Sequence, residues 1–421
     1  MLRAFRYRCY PTPEQAVLLR RTIGCCRLVY NRALAMRVEA WALRQERVSH
    51  AQTDRALTAW KRLPELAFLN EVSAVALQQS IRHLDTAYGR FFRKISRHPV
   101  FHKKRNGGST HYTRAGFRYL NGALTLAKMA APLLIRWSRP LPVDVLPSSV
   151  TVSLDAAGRW HASILCEDAS VRPLPPVDQT VGIDMGINRL ATMSDGTHLA
   201  NPHHFEAAYP KMRRAQRVLS RRLRARKARA AVLPRSLSKE ERRVALGSAR
   251  NIEKARIRVG RIHAYIADGR RDALHKFSMR LVRENQTICL EDLNVKGMLQ
   301  NRKLARAISD TSWSELRRQL EYKCRWYGRT LVVVDRFFPS SKTCNACGHL
   351  LASLPWSVRE WKCPACGTSH DRDVNAARNI LAAGLAVSAC GASVNPTPRR
   401  GGKVAAMKQE PSVAIRGIPV L

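Results

Sequence analysis

Residues 3–10 alternate aromatic and basic side chains, the period-two signature of a strand. Thr12-Pro13-Glu14-Gln15 then reads as a helix start. Thr12 can cap, Pro13 suits the first helical position, and Gln15 completes a capping box. Behind it Ala16, Leu19, Ile23, Cys26, Tyr30 and Ala33 share one helical face. A second long helix is expected from near Asn70, with Leu77, Ile81, Leu84, Tyr88 and Phe91 as its stripe. Short strand signals follow. Residues 117–120 and 123–126 flank Asn121-Gly122, which favours a type I′ hairpin, and 150–154 and 160–166 flank a further turn. One early strand, two helices and then several strands predict a small, wedge-like β-barrel over residues 1–170, carrying a helical insertion over about 12–98. Pro173, Pro175 and Pro176 mark 171–179 as a linker.

The second half opens with a short apolar strand that ends in a carboxylate, Asp184, and residues 190–193 are expected to pair back with it. A long basic helix follows. Residues 287–290 form another apolar run ending in an acid, Glu291. Ser312-Trp313-Ser314-Glu315 reads as a capping box, and the β-branched run 330–334 leads to Asp335. From residue 390 the chain loses apolar pattern, and a disordered tail is expected.

Composition adds a partner to this outline. The 421 residues suit two to three domains, and an apolar fraction of 45% can build cores. Lys plus Arg number 73 against 31 Asp plus Glu, a net charge of +42, and such a field attracts a polyanion. Lys103, Lys104 and Arg105, and the helical Arg213, Arg214, Arg217, Arg221 and Arg224, are the candidate nucleic-acid contacts. The first residues lack the apolar core of a signal peptide, and no stretch reaches the ~18 apolar residues of a membrane span. Four of the eleven cysteines form a metal pattern, which together with these absences points to a reducing cytoplasm. The remaining seven (Cys9, Cys25, Cys26, Cys166, Cys289, Cys324, Cys390) read as small buried hydrophobes.

Cys344-x2-Cys347 and Cys363-x2-Cys366 stand fifteen residues apart, a spacing that offers Zn²⁺ four thiolates in a tetrahedron. Gly348 and Gly367 follow each second cysteine, where a knuckle turn needs backbone freedom. Beside the second pair, Asp371 and Asp373 open a helix. An acid at a strand end is commonly a turn residue or a cap, so each carboxylate carries little by itself. Asp184, Glu291 and one of Asp371 and Asp373 would together make a site for hard cations such as Mg²⁺ or Mn²⁺.

These strings resemble a known family. Residues 182–187 (Gly-Ile-Asp-Met-Gly-Ile) and 290–295 (Leu-Glu-Asp-Leu-Asn-Val) are similar to the first two RuvC motifs of the TnpB (OrfB) family. The stretch from Phe338 through Ala377 is similar to its zinc ribbon and third motif, and residues 10–15 to its N-terminal helix-turn-helix region. The resemblance covers most of residues 1–385. It implies an α/β, RNase H-like (RuvC) nuclease domain over 180–343 and 367–389, with a zinc ribbon inserted at 344–366. It implies an RNA-guided DNA endonuclease of a transposable element, related to type V CRISPR effectors. The implied partners are a guide RNA from the transposon end and double-stranded target DNA, in a prokaryotic, nucleoid-associated setting. By motif, the metal-holding acids are Asp184, Glu291 and Asp373; Asp373 is preferred because the family's acid lies two residues before the Asn of Asn375-Ala376-Ala377, and Asp371 is the alternative.

Overall fold

A computed structural model describes residues 1–104, 107–142, 145–234 and 236–389. Arg105, Cys390 and the tail expected beyond it lie outside the described residues. Two units separate by contact: Met1–Ser170 with Arg214–Ala264, and Val171–Arg213 with the described residues from Tyr265 onward.

In the first unit the opening alternation forms β1 (Leu2–Cys9), with Phe5, Tyr7 and Cys9 buried. Helix α1 (Pro13–Arg44) begins as expected, because Thr12 and Gln15 make both hydrogen bonds of a capping box. Its six stripe residues are all buried. A short helix that periodicity did not signal, α2 (His50–Trp60), carries its own Ser49–Gln52 box. Helix α3 (Ala74–Phe92) starts later than Asn70, because Pro64–Glu71 coils as a 3-10 turn. Then come β2 (Gly108–Thr113), β3 (Phe117–Leu120), β4 (Ala123–Leu126), β5 (Ile135–Arg136), β6 (Ser149–Leu154) and β7 (Trp160–Glu167).

These strands do not close into the expected barrel. They form an open antiparallel sheet in the order β2-β6-β7-β1-β5, and β3-β4 stands apart as a hairpin. The hairpin turn has positive φ at Asn121 (49°) and Gly122 (77°), as type I′ requires. Closure fails because α1 and α3 pack along the β2 edge, while β5 spans only two residues and the hairpin reaches its neighbours through one Leu124–Leu133 bridge. The core lies between the sheet and the helical faces of α1 and α3.

The chain continues through β8 (Thr180–Asp184), β9 (Arg189–Met193), β10 (His198–Ala200), α4 (His204–Val232), α5 (Lys239–Leu246) and α6 (Arg250–Glu284). The sequence reading placed all of 180–343 in one domain, yet the middle of the α4–α6 segment clusters with the first unit. Gly260 allows this. A Cβ there would stand 2.2 Å from the Ala156 carbonyl oxygen, so α6 rests directly on the β6–β7 turn.

The second unit adds β11 (Thr287–Glu291), α7 (Val295–Met298), α8 (Ala305–Thr311), α9 (Trp313–Tyr327), β12 (Thr330–Val334), β13 (Glu360–Lys362), β14 (Ser369–Asp371) and α10 (Arg372–Ala389). Its sheet runs β10-β9-β8-β11-β12, antiparallel through β10, β9 and β8, and parallel through β8, β11 and β12. Ser312 does not cap α9. It sits left-handed (φ 56°) as the link from α8, and Glu315 pairs with Arg318 instead. The strands are apolar on both faces, as expected where helices cover both sides. Val181, Ile183, Ile288 and Leu290 join Leu274, Phe277, Leu281, Leu316 and Leu320 of α6 and α9 in one core. Cys289, Val332 and Val334 point to the other face, against Ile380 of α10. Among the described residues no helix is long and apolar enough to cross a membrane.

Candidate metal centres and active site

Strand periodicity decides where the acids point. Successive strand residues face opposite sides, so Asp184 shares the face of Gly182, and Glu291 that of Cys289. Both faces lie against α10. A Cβ on Gly182 would fall 2.1 Å from the Ala377 carbonyl oxygen, and one on Gly384 would fall 2.4 Å from the Cys289 sulfur. The helix therefore lies backbone to backbone on β8, and on β11 through the Cys289 side chain alone at Gly384. Ile183 is in register with Leu290, so Asp184 and Glu291 come next on adjacent parallel strands, whose spacing is ~4.8 Å. Asp373 sits in the first turn of α10.

The electrostatics register this convergence. Burial, then the charges of Asp373 and Glu291, push the Asp184 carboxyl up to about 7, against the opposing pull of Arg372 and Arg359. Burial, and after it Asp292, raises Glu291 as well. Neighbouring acids are otherwise engaged. Asp292 pairs with Arg317 and Arg336, pointing away from this face. Asp371 caps α10 by accepting the Asp373 and Val374 backbone N–H groups, each at 2.9 Å, and faces Arg189 at 3.3 Å. Asp373 accepts from Arg359 at 3.2 Å. The three acids are not drawn to ligand spacing. Among the described residues only the cysteine set closes that tightly. Mutual repulsion and the Arg359 pairing account for the difference.

The four cysteine sulfurs lie within 4.8 Å of one another and fit zinc. Two like knuckles build the set. Gly348 N–H donates to Cys344 O and Gly367 N–H to Cys363 O, each at 2.9 Å, with φ of 78° and 75° at the glycines. Cys344 and Cys363 are buried, while Cys347 and Cys366 face solvent.

Sequence reasoning missed the parts that join ribbon to helix. Buried His370 places its Nε2 3.1 Å from the Cys344 sulfur, beside Trp361. Asn375 donates to Thr343 O at 2.8 Å and accepts the Asn345 N–H at 3.0 Å. Asn379 donates to Ser340 O and Thr343 O, at 2.8 and 2.6 Å. Both amides are buried, and their i, i+4 spacing on a helix was the one available signal. Among the basic candidates, Lys103, Lys104, Arg213, Arg214, Arg217, Arg221 and Arg224 are all exposed.

Comparison with known proteins fits this arrangement. Residues 163–302 match the family described as "Probable transposase", 1–46 a "Helix-turn-helix domain" and 313–380 a "Cas12f1-like, TNB domain". A Streptomyces pristinaespiralis protein named "Putative RNA-guided DNA endonuclease" is 54% identical over 100% of this chain and 98% of its own length. "Putative RNA-guided DNA endonuclease InsQ" of Escherichia coli K12 is 32% identical over 99% and 98%. The chain bound in a "Cas12f1-sgRNA-target DNA complex" shares the fold, with a TM-score of 0.50 and 12% identity over 90% of this chain and 98% of that one. Full-length identity at this level, with all three segments matched in order, places the chain in the TnpB (OrfB) family.

Proposed function

We propose that this protein is an RNA-guided DNA endonuclease of a transposable element, cutting phosphodiester bonds at a metal-dependent, RuvC-like site made by Asp184, Glu291 and Asp373. One observation carries the reading. Two strand-end acids and a helix-start acid, far apart in sequence, meet on one face, where burial first and then Asp373 and Glu291 raise the Asp184 carboxyl. The mixed sheet with α10 across it supports an RNase H-like domain. Asp373 is preferred to Asp371, whose carboxylate is already spent on capping α10.

The residues fit hard divalent cations: three carboxylates, no soft ligand among them, and an Asp184 carboxyl raised by burial and then by its acidic neighbours. Magnesium or manganese, when bound, neutralises the acids and the developing phosphate charge and activates the attacking water. The chain's part is positional. The parallel strands fix Asp184 and Glu291, and the Asp371 cap fixes the turn bearing Asp373. Asp373, which accepts from Arg359 at 3.2 Å, would have to leave that pair to hold a cation. The Cys344, Cys347, Cys363 and Cys366 set would hold zinc and keep that turn in place. Guide RNA from the transposon end and double-stranded target DNA are the expected partners, in the cytoplasm at the nucleoid, with the exposed arginines of α4 along the duplex.

Asp184→Ala should abolish cutting of a matched duplex by the protein with its co-purified RNA and Mg²⁺, with affinity for nucleic acid retained. A variant cutting at the wild-type rate refutes the site. Wild-type protein that binds RNA and DNA but never cuts would instead mark a non-cleaving, RNA-dependent DNA-binding regulator.

A further inference from the structure

The first unit holds a cavity of mixed lining, with basic groups on its wall, that the nuclease chemistry leaves unused. About 360 Å³ in volume, it lies between α1, α3 and the start of β2, and Arg27, Tyr30, His83, His102 and Lys103 line it. Among the described residues no carboxylate lines it, and neither Arg27 nor Lys103 forms an ion pair.

The walls are built rather than incidental. Asn31 clamps residue 102 from both sides, donating to the His102 carbonyl at 3.0 Å and accepting its N–H at 2.8 Å. The His102 ring stacks on Tyr30, with centroids 3.8 Å apart and planes within 7°. Opposite, His83 meets the ring of His111, whose Nδ1 is 2.9 Å from Thr151 Oγ1. Gly108 has no room for a side chain, since a Cβ would stand 2.3 Å from Ile23 Cγ2. The strand therefore closes the floor directly on α1. Burial first, then Arg27 and His83, hold His102 below its ordinary pKa, as expected for a ring among cations with no anion to offset them.

Like charges gathered in a concave wall repel one another, and an anion relieves the repulsion. Guanidinium, ammonium and imidazole donors match a phosphate's oxygens. We propose that this pocket binds a phosphodiester group of the bound nucleic acid, with Arg27 and Lys103 supplying charge and His83 and His102 supplying ring N–H donors. The proposal rests on the nucleic-acid reading above and adds a defined anchoring point to it.

The test uses full-length protein freed of RNA, titrated separately with its guide RNA and with a target duplex over a range of salt. The Arg27→Gln, Lys103→Gln double variant should bind about tenfold more weakly at 0.15 M salt, with a log–log salt slope shallower by about 1 per charge lost. Loss confined to RNA assigns the phosphate to RNA, and loss confined to duplex assigns it to DNA. Lys103→Gln alone, at an exposed side chain, should show the same direction and guards against misfolding of the double variant. Unchanged affinity and slope with both polymers overturn the pocket. Affinity and salt slope read the pocket, whereas cutting by the wild-type protein and its loss in Asp184→Ala, with affinity retained, read the nuclease, which separates failure of the pocket from failure of the nuclease reading.

Discussion

Gly182→Ala tests how the candidate active site is assembled. The added Cβ would meet the Ala377 carbonyl oxygen at 2.1 Å and the Leu381 Cβ and backbone nitrogen at 2.7 Å, where ordinary contact begins at 3.4 Å. The oxygen and nitrogen are backbone atoms in mid-helix and the Leu381 Cβ is fixed to that backbone, so no rotamer change relieves the contact. Helix α10 must withdraw from β8 by about 1 Å, carrying Asp373 away from Asp184. Overpacking of this kind costs about 1–3 kcal/mol, and a displacement of about 1 Å at a reacting centre can cost ~100-fold in rate. The expected result is a melting temperature several degrees lower and cleavage reduced at least tenfold, with RNA affinity unchanged. Gly89→Ala is the control. Its Cβ would lie 3.8 Å from the Arg93 side chain, an ordinary contact, and removing glycine from α3 should stabilise by about 0.5–1 kcal/mol. If Gly182→Ala melts and cuts like wild type, the close packing of α10 on β8 does not set the site.

Two further outcomes follow from groups already described. Buried His161 is held down to about 4, by burial first and then by Arg6, with Arg8 and Arg159 adding and Asp155 opposing. Its folded pKa lies below the unfolded value of about 6.5, so its contribution is intact above that pH and is lost as pH falls towards 4, by roughly 3 kcal/mol at most. Denaturant titrations from pH 4 to 7.5 should show a shallower acid loss in His161→Gln, and identical slopes would refute this. His370→Ala removes a partner of the Cys344 sulfur and should lose zinc to a chelator at least tenfold faster, as read by a zinc-sensitive dye. Equal release rates would leave His370 as packing for Trp361.

What was legible in the sequence follows from how local each determinant is. The Thr12–Gln15 box and the α1 stripe depend on neighbours within one helix, and both appear where the pattern put them. Asp184 and Glu291 were visible because an apolar run ending in an acid marks the end of a buried strand. That they share a face needed the register of β8 with β11, which no local pattern carries. The barrel failed for the same reason. Most of its strands could be read, but β2 was not among them, and no local pattern showed that helices α1 and α3 would pack along that edge. Ser312 shows the opposite error: a capping string without a cap, because α8 delivers the chain in a left-handed turn. His370, Asn375 and Asn379 look like ordinary polar residues until the cysteine knuckle arrives from thirty residues away.

Those two asparagines set terms for anyone shortening or swapping the ribbon. Their amides hold the carbonyls of Ser340 and Thr343, just upstream of the first cysteine. A transplant cut at residue 344 keeps the Ser340 and Thr343 acceptors and exchanges only the Asn345 N–H that Asn375 accepts, whereas one cut at 338 inherits two buried amides with foreign acceptors. Leucine at both sites would be the remedy for a truncated design, trading a polar seam for a greasy one.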